Sequence, residues 1–259
     1  MSRSIVALVI VLFLATAMQS QLPPVTRDPA ALAALKIAIH AMGEESAISR
    51  VRDCVAQGHL QASASWASTG DFTWKNSGTD FRYENPAASG TRVLVSGHGH
   101  PAALHDGSGI LKLHGHTAWA NVPPHLAASV LLRELLDASY TIISLAPGQV
   151  GNKSVIRVQT SLESSVISRA VTPQIWSLDS SSGLPLRLEY RLPDSANALN
   201  TSAAALEFGD YRSVDGVLTP FQIVTFVDGE REAKITLTSV VFNSGLNSTD
   251  FDSPSGGSR

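Results

Sequence analysis

One cysteine, Cys54, stands in 259 residues, so an intramolecular disulfide is excluded and the fold has to rest on its buried core. Zinc sites built from paired cysteines are excluded with it. Charge is scarce as well: 16% of residues are Asp, Glu, Lys or Arg, and the formal net charge is -3. There is no basic run and no interleaving of aromatic with basic residues, so nucleic acid is not an expected partner. The longest apolar run, Ile5 to Ala17, falls short of the roughly 20 residues a membrane-spanning helix needs. Catalytic signatures are also lacking. The chain has no G-x-S-x-G elbow, no Walker loop and no G-x-G-x-x-G after a strand, so no catalytic residue and no cofactor is expected.

What is present begins with the order of an export signal. Arg3 leads into the apolar run, Ala15-Thr16-Ala17 supplies a small-x-small step, and polar Gln19, Ser20 and Gln21 follow. Cleavage is expected after Ala17. No cysteine lies near that junction, so the product is expected to be soluble and periplasmic rather than acylated and tethered. The remaining chain, 44% hydrophobic over the whole sequence, is long enough to bury a core without staples. Cys54 reads as a small buried hydrophobe.

Residues 18–27, with Pro23 and Pro24, read as a linker, 28–251 as one domain and the Ser/Gly-rich 252–259 as a flexible tail. Asp28-Pro29 is an N-cap followed by proline at the first helical position. Leu32, Leu35, Ile39 and Met42 then recur at helical spacing up to Gly43. From Val51 the period changes to alternation. Strands are expected over 55–63, 71–75, 80–84, 91–96 and 110–113, and again over 154–159, 174–179, 186–192, 205–211, 218–226 and 233–242. Asp215-Gly216, Asp228-Gly229 and Ser182-Gly183 carry hairpin-turn chemistry, which makes the sheet an antiparallel meander. One helix interrupts it. After Pro123-Pro124, residues 125–138 carry Leu126, Val130, Leu131, Leu132, Leu135 and Leu136, with Ser129, Arg133, Glu134 and Asp137 expected on the polar side. That apolar surface is wider than one stripe, so the helix covers, or is covered by, apolar surface on more than one side.

This order of elements, with three local motifs, resembles the bacterial lipoprotein-carrier (LolA/LolB-like) superfamily. The motifs are Asp80-Phe81-Arg82-Tyr83, an early strand carrying aromatic-Arg-aromatic; Trp176-Ser177-Leu178-Asp179 with Ser182-Gly183-Leu184-Pro185; and Phe208-Gly209-Asp210-Tyr211 with Val214 to Pro220. Carriers usually have Trp where this chain has Tyr83. The resemblance implies an α+β, mostly β fold: a strongly curved antiparallel sheet, an incomplete β-barrel, with helices filling or covering its concave face. It implies a periplasmic carrier that holds a lipid, an acyl chain or an acylated lipoprotein in an apolar cavity, with envelope proteins as possible partners. It further implies that Arg82 faces the cavity and donates to backbone carbonyls of a lid. Phe72 and Trp74, on one face of their strand, and Leu126, Val130 and Leu131, on the candidate lid, are the expected cavity or lid residues.

Two other readings compete. His98-Gly99-His100 and His114-Gly115-His116 flank a turn-rich stretch containing His105 and Asp106, and His-x-His on neighbouring strands can present four imidazoles to zinc or copper. The five glycines Gly97, Gly99, Gly107, Gly109 and Gly115 instead favour solvated loop histidines. The third reading is a non-catalytic envelope interaction protein whose barrel is packed solid and which works through strand edges or loops.

Overall fold

The structure, a computed structural model, describes residues 24–63, 69–87, 90–97, 99, 102–106, 109–112, 124–194, 197 and 199–254. The leader expected at 1–17 lies outside these residues. The N-terminal helix forms as its boundary signals require. In α1 (Pro29–Met42) the Asp28 carboxylate accepts from the Ala30 amide at 2.9 Å, and Pro29 opens the first turn. Gly43 ends it at φ 131° and lies so close to the Gly216 carbonyl that a Cβ would sit 2.1 Å from it. A short helix, α2 (Glu44–Ile48), follows.

Thirteen strands among the described residues form one antiparallel sheet, built from two meanders. The first is β1 (Asp53–Ala62), β2 (Gly70–Ser77), β3 (Asp80–Ala87), β4 (Gly90–Ser96), β5 (Ala103–Asp106) and β6 (Gly109–Lys112). The second is β7 (Tyr140–Val150), β8 (Lys153–Leu162), β9 (Gln174–Asp179), β10 (Pro185–Pro193), β11 (Thr201–Val214), β12 (Val217–Val227) and β13 (Glu230–Phe242). Pairing of β1 with β13 joins them, leaving β6 and β7 at opposite ends, so the sheet does not close into a barrel. Two hairpin turns carry the positive φ their sequences require: Asp215 48° and Gly216 83°, Asp228 49° and Gly229 86°. Between the meanders a 3-10 turn (Pro124–Leu126) runs into α3 (Ala127–Leu136), and α4 (Val166–Val171) links β8 to β9.

Alternation along the strands gives the sheet an inner and an outer face. Phe72, Trp74, Phe81, Tyr83, Ala56, Val240, Ile223, Leu206, Leu188, Trp176 and Val158 share the inner face by register. α1, α2 and α3 lie on this face, and one continuous apolar core joins them to it. The outer face of β2–β4 is covered by the C-terminal 3-10 turn (Ser248–Phe251). There Phe251 packs on Val93 and Val95, and Asp250 pairs with Lys75 at 2.7 Å.

Candidate functional site

The apolar core between the inner face and its helices gathers most of the residues singled out in the sequence. Phe72, Trp74 and Tyr83 form an aromatic cluster, with ring centroids 5.6 Å apart for Phe72–Tyr83 and 5.4 Å for Trp74–Tyr83. Alternation puts Phe72 and Trp74 on one side of β2, and pairing of Trp74 with Tyr83 brings the third ring alongside. Leu126, Val130 and Leu131 belong to the same apolar core, Leu131 being fully buried. The buried side chains of α3 are part of this core.

Arg82 is not among them. As the residue between Phe81 and Tyr83 it points to the outer face. There it donates to Glu84 at 2.5 Å and to the Asp252 carbonyl at 2.6 Å, which ties down the C-terminal segment and not a lid. The physical reason is alternation itself: if the two flanking aromatics face inward, the residue between them cannot.

The arginine that does hold the covering helix is Arg27. Its guanidinium donates to the Asp137 carbonyl at 2.7 Å, to the Tyr140 carbonyl at 3.4 Å and to the Leu135 carbonyl. These include orphan carbonyls that any helix leaves at its C-terminus, where the macrodipole also favours a cation. Arg27 is held in turn by backbone. The Asp28 amide donates to the Ile142 carbonyl at 2.8 Å, the Ile142 amide donates to the Thr26 carbonyl at 2.8 Å, and Arg27 bridges Ile142 in parallel. The segment read as a linker therefore ends in a clasp on β7.

Glu134 and His125 are among the ionisable groups buried against this face. Glu134, expected on the polar side of α3, is 1% exposed and points into the core. The Trp176 indole donates to its carboxylate at 3.1 Å, and the buried Thr160 hydroxyl faces the same carboxylate. Burial pushes the Glu134 carboxyl up to about 7, against the opposing pull of Thr160, Arg133 and Trp176. The misplacement has a simple cause: α3 is covered on two sides, so its polar positions do not all reach water. The second group is His125, in the turn that opens α3. It is 2% exposed, with its ring 5.4 Å from that of Trp74. Burial pushes this imidazole down to about 3.

His98, His100, His114 and His116 lie outside the described residues. Among the described residues no group of three or more His, Cys, Asp or Glu is placed to hold a metal ion. His105, the central histidine of that stretch, is buried on the outer face opposite Val93, its pKa lowered by burial and by Arg82. Cys54 is fully buried, and its thiol is pushed up to about 12 by burial and by Asp53. Among the described residues no helix is long and apolar enough to cross a membrane.

Solved structures share this unclosed antiparallel sheet with helices laid over its apolar face. A putative outer membrane lipoprotein-sorting protein domain from Vibrio parahaemolyticus superposes with a TM-score of 0.54 at 15% identity, covering 86% of this chain and 97% of its own. A DUF1329 family protein from Desulfovibrio piger gives 0.55 at 15% identity, with 87% and 98% covered. A LolA superfamily protein from Nitrosomonas europaea gives 0.54 at 11% identity, with 86% and 97% covered. No family model matches the sequence, and no curated protein matches it. At these identities the likeness is one of fold.

Proposed function

We propose that this protein is an exported, periplasmic carrier that binds the acyl chain of a lipid or lipoprotein on the inner face of its sheet, with α3 as the movable cover. Residues 1–17 would act as the cleaved leader. One observation carries the reading: a helix apolar on more than one side lies over an apolar face of an unclosed sheet, clasped at its C-terminal end by Arg27. The fold shared with a lipoprotein-sorting domain supports it.

The energetics of exchange suit such a device. Lifting α3 exposes Val130, Leu131, Leu132 and Leu135, at about 2 kcal/mol each, or roughly 8 kcal/mol together. An acyl chain of about fifteen methylenes regains on the order of 12 kcal/mol when it takes their place. Arg27 adds charge-assisted hydrogen bonds worth about 1.5–3 kcal/mol each to the closed form. Closed and loaded states thus differ by a few kcal/mol, which lets a ligand open the protein and a competing acceptor empty it. Native mass spectrometry of protein recovered from a bacterial envelope tests this: an added mass that is lost on delipidation is expected, and a clean unliganded mass with no uptake of added fatty acid contradicts it.

A second reading is favoured by the packing of the inner face. A protein whose core is permanently filled would bind envelope partners through edges and loops, and it would give that clean mass. The two readings part on whether α3 moves.

A further inference from the structure

Where the turn before α3 meets the sheet, polar atoms are buried without partners. Both ring nitrogens of His125 lack a hydrogen bond, as does Trp74 Nε1 beside it. Asn76, two residues along β2 on the same face and 5% exposed, has an unpartnered Oδ1. A buried polar group left unpaired carries its full desolvation cost, so a cluster of them within an apolar face marks a place that something else completes.

The chemistry of the set says what completes it. An indole N–H only donates, a neutral imidazole donates through one nitrogen and accepts through the other, and an amide oxygen accepts. Burial lowers the His125 pKa, so the ring is neutral and able both to donate and to accept. Its complement is an uncharged group that both accepts and donates. A bare carboxylate or phosphate only accepts, and would leave Asn76 Oδ1 unpaired.

We propose that Trp74, His125 and Asn76 form a subsite for the uncharged, ester- or hydroxyl-bearing end of an acyl ligand of the glyceride type. The proposal rests on the acyl-carrier reading above and adds the head-group class. With α3 lifted, an ester carbonyl accepts from Trp74 Nε1 and from the protonated nitrogen of His125. A hydroxyl donates to Asn76 Oδ1 or to the other imidazole nitrogen. The aliphatic chain then lies against Phe72 and Tyr83, whose rings adjoin Trp74.

The experiment compares monoolein and oleic acid, which share one acyl chain, by displacement of a fluorescent fatty acid from the full chain and from Trp74→Phe and His125→Gln. Wild type should bind monoolein more tightly than oleate. Trp74→Phe should weaken monoolein about tenfold, the usual effect of one lost buried hydrogen bond, and leave oleate unchanged. His125→Gln keeps a donor and an acceptor, and should retain a preference for monoolein that His125→Phe loses. If Trp74→Phe and His125→Phe shift the melting temperature and leave monoolein affinity untouched, the polar atoms serve a buried water only and the proposal is overturned. Binding of neither lipid by wild type overturns the carrier reading beneath it.

Discussion

Glu134→Gln should stabilise the protein above neutral pH and leave its stability unchanged in acid. In the unfolded chain this carboxyl titrates at the ordinary glutamate value of 4.5, and in the folded protein burial raises it to about 7. Between those values the folded state holds a proton that the unfolded state has released, so native stability falls as pH rises through this window. Each pKa unit corresponds to about 1.4 kcal/mol, which puts the full cost above pH 7 at about 3 kcal/mol. Glutamine never ionises and still accepts from Trp176, so it escapes the cost and keeps the contact. The groups facing Glu134 are Arg133, Trp176, Thr160 and Tyr140, and all four remain in the variant.

His125 acts with the opposite sign. Its folded value is pushed from 6.5 down to about 3, so stability falls as pH drops below 6.5. His105, lowered by burial and by Arg82, contributes in the same direction. In wild type Glu134 and His125 offset one another between pH 4.5 and 6.5; in Glu134→Gln stability should climb with pH across that interval. Urea unfolding followed by tryptophan fluorescence at each pH unit from 4 to 8 measures both curves. Their separation should grow from near zero at pH 4 to about 3 kcal/mol at pH 8 in favour of glutamine. A constant separation, or one that shrinks, refutes the placement of Glu134 in the core.

Other expectations are simpler. Leu131→Ala empties a fully buried position under α3 and should cost about 2–5 kcal/mol in chemical denaturation. Phe251→Ala should cost about 3–5 kcal/mol by the same measurement, since its ring fills the outer cluster with Val93 and Val95. Gly229→Ala meets no atom within 4 Å, yet it forces an L side chain to φ 86°, so a loss of about 1 kcal/mol should appear as a lower urea midpoint with unchanged slope.

Much of this architecture was legible because its signals are local. Asp28-Pro29 and Gly43 mark the ends of α1, and the Asp-Gly pairs at 215–216 and 228–229 adopt the turns their chemistry favours. β7 was not legible: Pro147 and Gly148 break its pattern, and the strand absorbs them at an irregularity between Leu145 and Gly148 because it lies at the end of the sheet. β5, four residues long between glycine-rich stretches, gave too short an alternation. The site divides in the same way. Period two along β2 put Phe72 and Trp74 on one face, and the structure packs Trp74 against His125 in the turn that opens α3. Arg27 carries no local mark, since its partners lie more than a hundred residues away and are backbone carbonyls without sequence identity. Glu134 was misplaced for a related reason: a helix covered on two sides buries positions that a single-stripe pattern assigns to solvent.

The central claim is that α3 is a movable cover held by Arg27. Amide hydrogen exchange of wild type and Arg27→Ala, with and without oleic acid, tests it most directly. Losing one charge-assisted hydrogen bond alone should speed exchange in Ala127–Leu136 at least tenfold in the variant. The β11–β13 core should stay unchanged, and oleic acid should raise exchange in α3 of both proteins as it displaces the helix. An α3 that exchanges as slowly as β11–β13 in both proteins, and does not respond to oleic acid, would show a permanently filled core and contradict the account.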